Sequence, residues 1–390
     1  MNARTLVALV AAVALWPRAA GAVPVFARKY GTNCTMCHST MPRLNDFGQR
    51  YRANGYRMPD REDEEKTVLE SPPPFAMRTG AGFVLEDLNR RAMAIEGRSS
   101  VSTFQLTGLD VFSAGLLGRH VGYLAVYVPP IPDGPGLAAQ DGTLEMASVV
   151  FSGLAGPWLN VRVGRFEPAY VTTSAKRILS GAGYEIYDAT FPGGVPFSET
   201  QTGIELTGGA RQHLRYAAGW VTGGSAADEI PADVYGRVAW VFGPGEGQTA
   251  GQRLGVVAYR GVIADDTFGR YGLDASLNVS VVNLSVQVLF AEDAKGLWAP
   301  HRDASWSGGF AEASVTPRVD LVAFARVDLV NGPKDLGYDV LRTTLGGRWY
   351  VEDNVAFHLE GSMRSATQDT GGHPVTATEN AVAARVDFAF

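Results

Sequence analysis

The chemistry in this chain of 390 residues is concentrated at its only two cysteines, Cys34 and Cys37, which are followed at once by His38. C-x-x-C-H is the pattern of covalent c-type haem attachment. Two thiols three positions apart each add to a haem vinyl group, and the adjacent imidazole is then placed to ligate the iron. A disulfide or a thioredoxin-like dithiol would use the same cysteines. The second needs a βαβ context that the flanking residues lack, and neither gives His38 a task.

The sixth iron ligand has several candidates. Met58, followed by Pro59, lies beyond a turn signal, and a thioether there gives His/Met ligation, which raises the reduction potential and suits electron transfer. Met36 and Met41 sit on or beside the turn that carries His38, and Met77 lies beyond a charged linker. Water, or a residue from further along the chain such as His358, is the remaining alternative.

These residues need a support. Pro42 starts a helix at its first turn, Leu44, Phe47 and Tyr51 share one helical face at spacings of three and four, and Asn54-Gly55 is a stop signal. That face covers a flat haem. Residues 23–59 fall below the roughly 40 residues at which a core sustains itself. The expectation is a very small α-helical monohaem cytochrome c domain, with the cofactor as most of its core and no folded form without it. In front, Arg4, the apolar run 5–16 and Ala20-Gly21-Ala22 read as a signal peptide over 1–22, cleaved before Val23. Behind, 60–77 reads as a solvated linker, with Asp60, Glu62, Asp63, Glu64 and Glu65 running into Ser71 and Pro72-Pro73-Pro74.

The rest of the chain changes period. The 46 glycines are about 12% of the chain against a usual ~7%, and 19% of residues are charged against a usual ~25%. No run of 18 apolar residues marks a membrane helix, and a net charge of −6 leaves no footprint for nucleic acid. Apolar and polar residues alternate instead: Leu273, Ala275, Leu277 and Val279 interleave with Asp274, Ser276 and Asn278, and Asp320, Arg326 and Asp328, then His358, Glu360 and Arg364, take the inward positions of two further strands. Segments of about ten residues, aromatic residues near their ends (Trp158, Trp349, Tyr350) and a closing Val386-Asp387-Phe388-Ala389-Phe390 argue for an all-β transmembrane antiparallel barrel of about 16 strands over 78–390.

The stretch 110–117 fits the alternation poorly, which leaves 14 or 18 strands open. Tight turns at 154–157, 209–211, 279–280, 316–317 and 351–353 belong on the periplasmic side. The longest connection, 168–199, is then the third outer loop. Phe191-Pro192-Gly193-Gly194 and Pro196-Phe197 equip it to fold into the lumen, and an exposed loop is the alternative. Arg162, Arg326, Arg342 and Arg348 face the lumen, as an anion path or as an ion-pair ladder that stiffens the wall.

The stretch Phe26-Ala27-Arg28, Gly31, Cys34, Cys37-His38, Pro42, Leu44-Asn45, Phe47-Gly48 and Gly55-Tyr56, followed by a porin-like barrel, resembles the fused monohaem cytochrome-porins of the bacterial outer membrane, whose best known members are outer-membrane Fe(II) oxidases. The part between Arg28 and Gly31 departs from the iron-oxidase form. The resemblance implies one covalent haem c held by Cys34, Cys37 and His38, and electron transfer from extracellular Fe(II) to a periplasmic c-type cytochrome. Outer-membrane lipid is the surrounding partner, and a porin-like homotrimer is one assembly. Because an apolar layer of roughly 25 to 30 Å is too wide for one carrier standing outside it, the haem domain is expected in the lumen or at its periplasmic mouth. Asp228, Glu229, Asp265 and Asp266 on outer loops would concentrate a cation or simply be solvated tips. Competing readings are a solute porin with a haem plug, outward electron transfer to an extracellular acceptor, and a haem-based catalyst or sensor of a small ligand.

Overall fold

The computed structural model describes residues 25–389, apart from 31, 33, 60–64, 71–74, 98, 135, 170–176, 188–199, 211–212, 224–231, 244–246, 248, 264–265, 294–303, 334–336, 353 and 370–373. The signal segment, the acidic residues 60 and 62–64, the prolines 72–74, the turns 191–197, the loop acids 228, 229 and 265 and Phe390 therefore lie outside the described residues.

After a two-stranded ribbon of β1 (His38–Thr40) and β2 (Arg43–Leu44), the chain runs through β3 (Phe75–Leu88), β4 (Val101–Gly118), β5 (Val121–Val128) and β6 (Thr143–Phe151). A short β7 (Leu154–Pro157) precedes β8 (Asn160–Phe166), β9 (Gln201–Ala210), β10 (Leu214–Val221), β11 (Asp233–Phe242) and β12 (Gln252–Ile263). There follow β13 (Asp266–Val279), β14 (Val282–Asp293), β15 (Ala304–Arg318), β16 (Leu321–Asn331), β17 (Asp339–Glu352), β18 (Val355–Asp369) and β19 (Pro374–Ala389). Strands β3 to β19, without β7, close into one barrel of 16 antiparallel strands. The last strand pairs with the first, with Ala389 opposite Arg78.

The two rims differ. Turns at 119–120, 280–281 and 319–320 close one end, while connections of ten residues or more, 129–142 and 167–200 among them, leave the other. Both barrel termini lie at the short-turn end, where Ala389 N donates to Asn354 O at 2.9 Å. In barrels of this kind the short turns face the periplasm.

Alternation sorts the side chains as a lipid-embedded wall requires. Leu273, Leu277, Leu284, Val288, Leu345 and Leu359 are exposed on the outside, while Asp274, Ser276, Ser285, Gln287, Thr344 and His358 are buried within. This inversion would be costly in water; in a bilayer it puts apolar surface against lipid and polar groups around the lumen. Outward aromatic residues gather near both rims, with Trp158, Trp240 and Phe357 towards the short turns and Trp220, Tyr271 and Phe290 towards the long loops.

Some details differ from the sequence reading. Barrel strand β3 begins at Phe75, inside the span expected to be linker, because Ala76 already turns into the buried face. The turn expected at 316–317 lies at 319–320, and Tyr350 packs inward beside Leu179, Val322 and Phe324. The awkward stretch 110–117 is the second half of a single 18-residue strand, β4. Its lumen face is apolar at Phe112, Ala114 and Leu116 because something apolar is packed on it there.

Candidate cofactor site in the barrel lumen

What packs on it is the segment before the barrel. It consists of α1 (Val25–Tyr30), a 3-10 turn (Cys34–Met36), the β1–β2 ribbon and α2 (Asp46–Ala53). Helix α2 does not start at Pro42. Residues 38–44 pair as a ribbon instead, with His38 opposite Leu44, and the helix is capped by Asn45, whose side-chain oxygen accepts from Gly48 N at 2.9 Å. The expected stop holds: Asn54 is the C-cap, and Gly55 has φ +68.

The segment expected to be a small α-helical domain is only partly helical. Two short helices and a ribbon are lodged in the lumen and fastened to its wall. Arg43 donates to Asn283 Oδ1 at 2.7 Å and Ser285 Oγ at 2.6 Å, and pairs with the fully buried Glu312. Arg253 donates to Leu44 O at 3.1 Å, and Ser314 Oγ donates to Thr40 Oγ1 at 3.1 Å. Gly55 nests on Gly122 of β5, where a Cβ would lie 1.8 Å from the Gly55 carbonyl oxygen. A segment too short for its own core borrows the barrel's. Glu65, expected to be solvated, folds back to accept from Lys29 Nζ at 3.0 Å, Tyr30 Oη at 2.8 Å and Met58 N at 2.7 Å.

Between this segment and the wall is a cavity of about 300 Å³. Cys37, His38 and Met58 all line it, together with Met41, Tyr51 and Tyr56. The barrel contributes Phe112, Leu124, Val126 and Met146. Cys34 lies in the 3-10 turn; its side chain is outside the described residues.

Local geometry fixes the ring of His38. Its Nδ1 lies 3.1 Å from Arg43 O. An N–H there donates to the carbonyl, fixes the tautomer and leaves the Nε2 lone pair for a metal, the arrangement common to ligating histidines. Burial pushes the imidazole down to about 4, so it is neutral at pH 7. The turn is pinned behind it: Asn45 Nδ2 donates to Met36 O at 2.9 Å, Asn45 N donates to Cys37 O at 2.9 Å, and Gly48 lets α2 approach so closely that a Cβ there would sit 2.2 Å from Cys37 O.

Of the methionines weighed for the second axial position, Met58 and Met41 line the cavity; Met36 and Met77, the latter on β3, do not. Met58 is buried against Phe47, Tyr51 and Tyr56. His358 is elsewhere, with Nδ1 3.0 Å from Arg348 Nε and Nε2 3.1 Å from Glu360 Oε2. Sequence reasoning missed Met146 of β6, and it missed Arg52, Arg78 and Arg177, which also line the cavity. Strand alternation could have shown Met146 facing inward; nothing in the sequence marks Arg177.

The described part of the third outer loop, 177–187, folds inward. Tyr184 Oη lies 3.1 Å from Arg43 Nη2, Arg326 donates to Gly183 O at 2.8 Å, and Glu185 accepts from Arg342 and Arg364. Leu179, Ile186 and Tyr187 are buried, and the loop joins Phe310, Tyr259, Phe268 and Trp306 in an apolar cluster inside the lumen. The lumen arginines form the ladder: Arg162 pairs with Glu205 at 3.0 Å, Arg326 with Asp328 at 2.7 Å and Arg342 with Glu185 at 3.0 Å.

No protein-family model and no curated protein sequence matches the chain. Its fold does match solved structures of outer-membrane porins. The anion-selective porin of Comamonas acidovorans superposes with a TM-score of 0.57 at 15% identity, over 82% of this chain and 100% of that one. OprB of Pseudomonas putida gives 0.58 at 10% identity, over 83% and 95%. In-vitro folded OmpT of Vibrio cholerae, in its trimer form, gives 0.54 at 11%, over 82% and 100%. The class the fold defines is thus a porin-like, closed barrel of 16 antiparallel strands, with a C-x-x-C-H segment lodged in its lumen.

Proposed function

We propose that the protein carries one covalent haem c inside its barrel and moves electrons across the outer membrane, taking them from an extracellular reductant such as Fe(II) and delivering them to a periplasmic c-type cytochrome. The observation that carries this reading is that Cys37, His38 and Met58 line one largely apolar cavity. The residues fit the group. Cys34 and Cys37 would hold it by thioethers, His38 Nε2 and Met58 Sδ would ligate its iron, and aromatic and aliphatic walls suit a flat apolar ring. When bound, haem c supplies a one-electron iron couple.

The chain's own residues do the rest. Arg43 O orients His38, Asn45 and Gly48 fix the turn, and the wall from Phe112 to Met146 excludes water. The barrel insulates the site from lipid, and a soluble cytochrome would dock at the short-turn mouth. An oxidised metal product would stay outside, which avoids precipitating ferric mineral in the periplasm. Assembly as a homotrimer, as described for the OmpT structure, suits the same wall.

The porin likeness also favours a second reading, a solute channel with a haem plug. The described parts of the third loop and of the segment before the barrel narrow the lumen, which weighs against free passage of a solute. Stopped-flow mixing of the oxidised, haem-loaded protein with Fe(II) under anoxic conditions tests the first reading, with a Cys37→Ala control. Rapid reduction of the haem bands supports it. A haem that dithionite reduces and Fe(II) does not would redirect the search to other donors, to outward electron flow or to gated transport.

A further inference from the structure

A second cavity, of about 450 Å³, adjoins the first at Met41, Arg78 and Asp110. Tyr350, Asn354 and Ala389, at the short-turn end, line it, and so do Ser180 and Gly181 of the inward loop. It lies at the seam where β19 closes on β3. Register places three residues of this wall in one row: Arg348 of β17 is opposite His358 of β18, which is opposite Arg385 of β19. Arg348 Nε donates to His358 Nδ1 at 3.0 Å, and Arg385 Nη2 lies 3.4 Å from the same nitrogen.

Five charged residues line this cavity, and four of them form pairs. Arg78 Nε donates to Asp110 Oδ2 at 3.0 Å, and Arg385 Nε lies 2.8 Å from Asp387 Oδ1. Arg348 differs. Among the described residues no carboxylate lies within ion-pair distance of it, and its hydrogen bond is the contact of Nε with an imidazole. Glu360, beyond His358, is already engaged by Ser180 Oγ at 2.8 Å, Gly181 N at 2.9 Å and His358 Nε2 at 3.1 Å. With Glu360 counted the cluster is neutral, so the wall offers unfilled donors rather than surplus charge. Gly80 keeps the space clear, since a Cβ there would lie 2.6 Å from both Asp387 Oδ1 and Thr107 Oγ1. An unfilled guanidinium fork with two further guanidinium groups on the same wall suits an oxyanion, which accepts several N–H bonds at once.

We propose that this second cavity binds a small oxyanion, a carboxylate or inorganic phosphate, on the fork of Arg348. His358 is the positioning residue: it takes Nε and leaves both Nη groups of Arg348 for the ligand. Arg385 and Arg78 keep the surroundings favourable to negative charge while holding Asp387 and Asp110 in pairs. The site is distinct from the cavity lined by His38 and does not rest on the haem reading. A ligand there would sit where β17, β18, β19 and β3 meet the inward loop and Met41 of the N-terminal segment, so the barrel seam and both lumen insertions would share one bound group.

The test uses the whole chain, purified in detergent and exchanged into a buffer free of carboxylates and phosphate. Equilibrium dialysis against radiolabelled succinate and, separately, inorganic phosphate is run on wild type, Arg348→Gln, Arg348→Lys and Arg318→Gln. Each is first checked for the heat-modifiable gel migration of a folded barrel. The expected result is saturable uptake of a single equivalent of one probe, and which probe binds separates a carboxylate ligand from a phosphate. Arg348→Gln should weaken binding about tenfold or more. Arg348→Lys, which returns the charge without the fork, should recover part of it. Arg318→Gln, which removes a cation from the short-turn rim outside the cavity, should bind as wild type does. Should Arg348→Gln fail to fold, phenylglyoxal labelling of the wild type decides: the bound probe should slow modification of Arg348 and leave that of Arg318 unchanged. No saturable binding, equal losses in Arg348→Gln and Arg318→Gln, or a folded Arg348→Gln with wild-type affinity would overturn the proposal, as would labelling of Arg348 that neither probe slows.

Discussion

The carboxylate of Asp46 receives a hydrogen bond from Arg215 Nη2 on each of its oxygens, both at 3.0 Å, so that the first residue of the helix behind the C-x-x-C-H turn is bound to strand β10 of the wall. Asp46 is fully buried and also accepts from Arg50 Nε at 3.1 Å. The segment is therefore held by specific polar contacts as well as by apolar packing.

Breaking this contact from one side should release the segment without unfolding the barrel. Arg215→Ala leaves a buried carboxylate short of a partner, at a cost on the order of 3 kcal/mol. Limited proteolysis should then cut within residues 25–59 much faster than in wild type, while heat-modifiable migration on gels persists. Unchanged protection would mean that the contact contributes little to docking.

Ligation of a haem by Met58, as proposed, would be visible in spectra. Met58→Ala should keep the thioether-linked haem but open a coordination site, so that the reduced protein binds carbon monoxide at neutral pH and its potential drops. Met41→Ala and Met146→Ala should leave the low-spin spectrum intact. If one of them opens the site and Met58→Ala does not, the ligand is that methionine.

Narrowing of the lumen by the inward loop and the N-terminal segment predicts poor permeation. In planar bilayers the purified protein should conduct far less than open 16-stranded porins, whose lumens are water-filled. Conductance of porin size, with sugar flux into proteoliposomes, would instead support the solute-channel reading.

Alkaline pH should loosen the segment. Burial raises the phenols of Tyr30 and Tyr51 above their usual ~10, and Glu65, accepting from Tyr30, raises the first further. Above pH ~10 the undocked form loses protons that the docked form retains, so docking is at full strength below that pH and weakens as pH rises. Tyrosinate absorbance followed together with proteolysis should show the two phenols titrating only as the segment is released. Titration of every tyrosine near pH 10 with the segment still protected would contradict this.

The one region where the strand pattern could not be followed turned out to be the wall of the site. Alternation locates a strand only while one face meets lipid and the other meets water or polar groups. Along β4 the lumen face at Phe112, Ala114 and Leu116 is covered by the N-terminal segment, so both faces are apolar and the signal vanishes. Where the lumen stays polar, as at Arg326, Asp328, His358 and Glu360, the inward positions were legible from spacing alone. The start of α2 was misread because a proline and an asparagine both announce helices; the ribbon at 38–44 leaves that task to Asn45.

By itself the sequence determined the two local things that depend on neighbours along the chain. One is the C-x-x-C-H turn, whose spacing is the pattern of haem attachment, and the other is the period-two alternation of the wall strands. Only the tertiary structure decided where that turn sits and which methionines can face it. Barrel closure and the inward fold of the third loop bring together residues more than a hundred positions apart, and the contacts they make, such as Arg43 with Glu312 or Asp46 with Arg215, leave no periodic trace in the chain.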